Sequence, residues 1–100
     1  MAVGDVKSGI SSVAGSGSLA IQPNGTEEWV VHNIYHQKDI GLYLSGSASG
    51  ASGSFWFDND AGGGIYARFS FHVNNSFYLS IMNSGSTAAY IGYDGILTHT

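Results

Sequence analysis

The longest stretch of this chain that is rich in β-branched and aromatic residues and free of Gly and Pro is Glu27-Glu28-Trp29-Val30-Val31-His32-Asn33-Ile34-Tyr35-His36. It makes a poor helix, because Val30, Val31 and Ile34 are stiff at χ1 and Asn33 favours caps and turns. As a strand it divides by period two: Trp29, Val31, Asn33 and Tyr35 on one side, Val30, His32, Ile34 and His36 on the other. Both rows carry large apolar groups. The pattern predicts a central strand covered on both faces, one by a second sheet and the other by a partner subunit.

The remaining segments are shorter. Asp5–Ala14 is a weak first strand within a segment, 1–17, that can also serve as an extended N-terminal arm. Ser18–Gln22 is a second short strand, and Gln22-Pro23-Asn24-Gly25 has the chemistry of a type I turn. Ile40, Leu42 and Leu44 share one side of the next strand. Ser45–Ser54 contains only Ser, Gly and Ala and predicts a flexible loop. Phe55-Trp56-Phe57 is a compact aromatic strand, and Asp58–Gly64 is turn-rich. Ile65–Val73 alternates, with Ile65, Ala67, Phe69, Phe71 and Val73 on one face. Asn74-Asn75 suits a two-residue hairpin turn. Phe77, Leu79 and Ile81 then alternate with Tyr78, Ser80 and Met82. Thr87–Asp94 is the last strand, and 95–100 is a tail that docks through Ile96 and Leu97.

About eight short strands with frequent turn signals and no helical period predict an all-β fold. The expectation is one domain over residues 1–100, an antiparallel, jelly-roll-like β-sandwich, with a small closed barrel as the alternative.

Composition limits the partners. Charged residues are 10% of the chain, against ~25% in ordinary soluble domains. Charge depletion is what interfaces between proteins show, so an assembled, largely covered surface is expected, with a plain Gly/Ser-rich solvated β-domain as the alternative. Net charge is −4, with only Lys7, Lys38 and Arg68 as cations. That argues against nucleic acid and against an anionic membrane surface. There is no Cys, hence no disulfide framework and no thiolate zinc site. The first twenty residues lack a basic region followed by an apolar one, and no run approaches ~18 apolar residues. The expectation is a chain made in a cytoplasm.

Few residues suggest chemistry. His32 and His36 lie ~13 Å apart along a strand, too far to share one zinc; His72 across a sheet, or copies of one His on a trimer axis, are the metal alternatives to ordinary strand histidines. Asp58-Asn59-Asp60 before Gly62-Gly63-Gly64 resembles part of a calcium loop, but Phe69 stands where the helix-loop-helix pattern needs Glu. Asp58 and Asp60 are therefore weak metal candidates, and a solvated turn is the ordinary reading. Gly46-Ser47-Ala48-Ser49-Gly50 has Ala where a nucleophile elbow needs Ser. No catalytic residue and no cofactor is expected. The aromatic surplus is the remaining signal. Trp29, Val31, Tyr35, Tyr43, Trp56, Tyr90 and Tyr93 are candidates for an interface or a ligand platform, through protein contacts or sugar stacking.

Two pieces carry a resemblance. Gln22-Pro23-Asn24-Gly25-Thr26-Glu27-Glu28-Trp29-Val30-Val31-His32-Asn33-Ile34-Tyr35 resembles a stretch in small proteins encoded among the virion genes of tailed bacteriophages. Ile91-Gly92-Tyr93-Asp94-Gly95 is similar to their closing segment. The resemblance implies a non-enzymatic accessory protein of the virion: a capsid decoration (cement) protein or a small head- or tail-associated piece. Its implied partners are copies of itself, as a homotrimer, and the major capsid or other virion proteins. A host-surface glycan is a further partner if the platform binds sugar.

Overall fold

A computed structural model describes residues 2–48 and 51–100. Its strands are β1 (Val6–Val13), β2 (Ser18–Ile21), β3 (Glu28–His36), β4 (Ile40–Ala48), β5 (Ala51–Asp60), β6 (Gly64–Tyr66), β7 (Phe71–Asn74), β8 (Phe77–Asn83) and β9 (Ala89–His99). Sheet A runs β1-β9-β3, with β3 bordered on its far side by β7 and then β6. Sheet B runs β2-β8-β4-β5. All pairings are antiparallel. With β6 and β7 counted as one interrupted position, the order is that of the expected jelly-roll-like sandwich, and the sheets do not close into a barrel.

The core is where the two sheets face each other. Ile21, Ile40, Leu42, Leu79 and Ile81 of sheet B meet Val31, Ile34, Tyr66, Val73, Ile91 and Leu97 of sheet A. The alternation read for β8 holds at its centre, with Leu79 and Ile81 buried between half-buried Ser80 and Met82, whereas Phe77 is exposed and Tyr78 packs against the core. Among the described residues Asn83 is buried with two other polar residues, His36 and Ser45. Its amide donates to the carbonyls of Val13 (3.0 Å) and Thr87 (2.9 Å) and accepts from Gly85 N–H (3.0 Å), so the loops at that end hang on one side chain.

β3 departs from its expected pattern. Trp29, Val31, Ile34 and His36 are all buried on one face. Val31 pairs with Gly95 and Asn33 with Asp94, so His32 is an extra residue in the ladder. This bulge shifts the phase of the strand, turning Ile34 and His36 inward and Tyr35 outward. The apolar groups that period two assigns to both faces therefore belong to one. The neighbouring strand breaks at the same level. β7 covers Glu28–Val31 and β6 covers Ile34–His36, so the continuous strand expected over Ile65–Val73 is two. Ile65 points out and Phe71 and Val73 point in.

Gly95 makes the bulge possible. A Cβ there would lie 2.1 Å from the Val30 carbonyl oxygen and 2.8 Å from Val31 Cα, which no side chain survives.

Three other expectations change. The segment considered as an arm is a strand, because Val6–Val13 pairs with β9 along its whole length. The Ser45–Ser54 loop is largely a ladder: Ser45 pairs with Ser54, Gly46 with Gly53, Ser47 with Ser52 and Ala48 with Ala51. Main-chain bonds need no apolar side chains, so a Ser/Gly/Ala run extends a hairpin as readily as it forms a loop. Residues 49 and 50 lie outside the described residues. The last strand continues to His99 rather than ending at Asp94.

Two turns also move. Glu27 N–H donates to the Asn24 carbonyl at 2.9 Å, so the turn spans Asn24–Glu27, with Gly25 at φ +51°. Asn74-Asn75 makes no hairpin, because β7 and β8 belong to opposite sheets. Asn74 Oδ1 instead accepts from the N–H groups of Ser76 and Phe77 (2.9 and 2.8 Å) and folds the corner between them.

Candidate interaction face

The outward side chains of sheet A form the candidate site. β1 supplies Val6 and Ile10, β9 supplies Tyr90, Gly92, Asp94 and Ile96, β3 supplies Val30, Asn33 and Tyr35, and β6 supplies Ile65. The register places them side by side: Val6 opposite Ile96, Ile10 opposite Gly92, Ile96 opposite Val30, Gly92 opposite Tyr35, and Tyr35 opposite Ile65. Ile10 is 70% exposed, Val6 69%, Ile65 59% and Tyr90 53%. Scattered exposed apolar residues need no explanation, but a contiguous set on one sheet face makes this a candidate interaction surface.

Asp94 is the acidic group in the middle of this face, and its charge is already engaged. Asn33 Nδ2 donates to one carboxylate oxygen at 2.9 Å and the Tyr35 hydroxyl donates to the other. The bulge makes this arrangement, since it sets Asn33 opposite Asp94. The hydrogen bond to Asp94 is also the main reason that the Tyr35 phenol is held above its ordinary pKa, with partial burial adding to it.

Between Ile10, Tyr35, Tyr90 and Gly64 the face sinks into a shallow dent with a volume of about 220 Å³. Its lining includes Gly92. A Cβ at Gly92 would lie 2.9 Å from the Gly9 carbonyl oxygen, so only glycine leaves the strands this close and the dent open.

The seven platform candidates thus separate into three groups. Trp29 and Val31 are core residues and leave the platform. Tyr93 points inward and stacks on Trp29, with ring centroids 6.3 Å apart. Lys7 lies over the other part of that assembly, 5.0 Å from the Trp29 ring, and pairs with Glu27 at 3.4 Å. Glu27 also accepts from the Trp29 indole N–H at 2.9 Å. That bond first, and the Lys7 charge after it, holds the Glu27 carboxyl below the usual range. Tyr35 and Tyr90 belong to the outer face of sheet A. Tyr43 and Trp56 stand together on the outer face of sheet B, opposite one another in the ladder.

A second bulge presents Trp56. Leu42 pairs with Asp58 and Tyr43 with Trp56, so Phe57 is the extra residue. Phe57 packs against the core and onto Phe71. Trp56 and Asn59, three residues apart, thereby share the outer face, and the Trp56 indole donates to Asn59 Oδ1 at 3.1 Å.

Asp58 and Asp60 turn the other way and bridge the sheets. Asp58 accepts from the Tyr66 hydroxyl (2.9 Å), from Asn59 N–H (2.9 Å) and from Arg68 (3.3 Å). The first two of these bonds, the Tyr66 hydroxyl foremost, hold its carboxyl below the ordinary range. Asp60 lies 2.8 Å from His36 Nε2. Each carboxylate has protein partners, and among the described residues no three His, Asp or Glu side chains gather as metal ligands.

No protein-family model matches this chain, and no curated protein is similar to it.

Proposed function

We propose that this chain is a non-enzymatic structural protein of a tailed-bacteriophage virion, a decoration (cement) protein or a small head- or tail-associated piece. In this reading it assembles as a homotrimer and lies against the major capsid or another virion protein. The observation that supports it is the outer face of sheet A, where Val6, Ile10, Ile65 and Tyr90 are more than half exposed on contiguous strands and Asp94 is already bound by Asn33 and Tyr35. Such a face gains by being covered, at roughly 25 cal/mol per Å² of apolar area removed from water. The fold itself does not choose a function. The test is light scattering on the purified protein. An assembly built on three chains, either a trimer or a pair of trimers, that Ile65→Asp and Tyr90→Asp dissociate is the expected result, and a mass that never exceeds two chains overturns the reading.

Trp56 favours a second reading, a carbohydrate-binding role that a virion protein could also perform at the host surface. The ring is 53% exposed, its tilt is fixed by Asn59, and Phe57 rather than Trp56 fills the core. A flat ring held still offers a stacking surface for the C–H face of a pyranose at little ordering cost. Titration with methyl β-D-galactopyranoside and N-acetylglucosamine, followed by the Trp56 indole N–H resonance, tests it. Shifts that saturate support this reading, and an unmoved signal ends it.

A further inference from the structure

Among the described residues five strands form the edges of the two sheets, and four of them are blunted. β2, β6 and β7 have only four, three and four residues. β5 is long but is bulged at Phe57 and carries Asp58, Asn59 and Asp60. Short length, bulges and charge are the usual means by which an edge avoids pairing with another chain. β1 is neither short nor bulged and has no charge on its outward side. It has eight residues and no Pro, and its register with β9 runs unshifted from Val6–Ile96 to Val13–Ala89. Its charged residue, Lys7, is turned inward to Glu27 and Trp29.

The ladder shows which groups this edge presents. The Asp5 carbonyl accepts from Leu97 N–H, and across β9 the Tyr90 carbonyl accepts from Gln37 N–H. Backbone groups alternate in direction along an antiparallel strand. Lys7, Gly9, Ser11 and Val13 therefore bond to β9. Val6, Ser8, Ile10 and Ser12 direct their N–H and C=O groups away from the sheet.

We propose that β1 pairs antiparallel with β1 of a second copy of this chain, across a two-fold axis normal to sheet A. The groups on offer are main-chain donors and acceptors, so the occupant is an extended strand. A second copy fits because the edge is self-complementary, as a two-fold contact requires. In one register Val6 meets Ser12 and Ser8 meets Ile10, and all four edge residues are bonded. That register places Gly9 on the axis, where the absence of a side chain keeps the approach clear. No like charges meet, since Lys7 is occupied on the inner side. The pairing also brings Val6 and Ile10 of both copies onto one continuous outer face. This contact is independent of the virion reading and uses different atoms from a contact through the face.

Residue-resolved amide hydrogen exchange on the assembled protein tests the proposal. The Val6, Ser8, Ile10 and Ser12 amides are expected to be protected together and to lose protection together on dilution. Ser8→Pro removes one outward donor without touching a bond to β9, and Ser8→Lys adds charge at the edge while keeping the donor. Both are expected to release the remaining edge amides and halve the mass read by light scattering, with the Lys7, Gly9 and Ser11 amides still protected. Ile65→Asp, on the opposite border of the sheet, is expected to leave the edge amides protected even where it dissociates a face-to-face assembly. Edge amides that exchange freely at every concentration, or protection that survives both Ser8 variants, overturn the proposal.

Discussion

His36 Nε2 lies 2.8 Å from Asp60 Oδ2, and this contact ties sheet A to sheet B at the open border of the sandwich. The ring is closed off from water, with a side chain 1% exposed, and its Nδ1 faces the Lys38 carbonyl at 2.9 Å. The Asp60→Ala variant leaves a buried ring nitrogen without its partner. The expected loss is about 1–3 kcal/mol, measured as a lower denaturant midpoint at unchanged slope.

Tyr66 and Asp58 make the neighbouring bridge, and it carries a pH signature. Burial first, then the hydrogen bond to Asp58, raises the Tyr66 phenol from 10.0 to about 12. The folded state thus holds this proton more tightly than the unfolded state. The resulting stability is complete below pH 10 and is lost as pH rises toward about 12. Absorbance titration of tyrosinate is expected to show a late-ionising phenol that disappears in Tyr66→Phe. Asp58 behaves oppositely. Its lowered carboxyl contributes stability above the ordinary value of 3.8 and loses it as pH falls further.

Asn83 is the side chain on which three main-chain groups depend. Asn83→Leu keeps the volume but strands two carbonyls and one N–H. A destabilisation of roughly 2–4 kcal/mol is expected, seen as an early thermal transition.

Two glycines give a controlled contrast. Gly95→Ala forces a methyl against the Val30 carbonyl, whereas nothing lies within 4 Å of a Cβ at Gly53. The first substitution is expected to cost about 3 kcal/mol or to prevent folding. The second is expected to stay within about 0.5 kcal/mol of the parent. Equal effects would show that β9 and β3 do not approach as described.

Much of this architecture was legible from residue patterns. The alternation of Leu79 and Ile81 with Ser80 and Met82 identifies β8 and its inner face directly, because that ladder has no register shift. The faces of β3 and β5 were hidden for the opposite reason. Each contains one residue beyond the ladder, at His32 and Phe57, and a period-two template cannot detect where the count slips. The Ser45–Ser54 run reads as a loop because its pairing rests on backbone groups common to every sequence. The candidate site was only partly readable. Tyr35 and Tyr90 do share a face, but Val6, Ile10 and Ile65 join it only once the strand order is known.

The extra residue at position 32 is one this strand can spare, because the ladder is in step on either side of it, with Val31 opposite Gly95 and Asn33 opposite Asp94. Deleting His32 would close the bulge into one unbroken count and leave Ile34 and His36 facing the interior and Asn33 and Tyr35 facing out. Asp94 and Asp60 would keep Asn33, Tyr35 and His36 as partners, so the bulge is where this strand tolerates the loss of a residue.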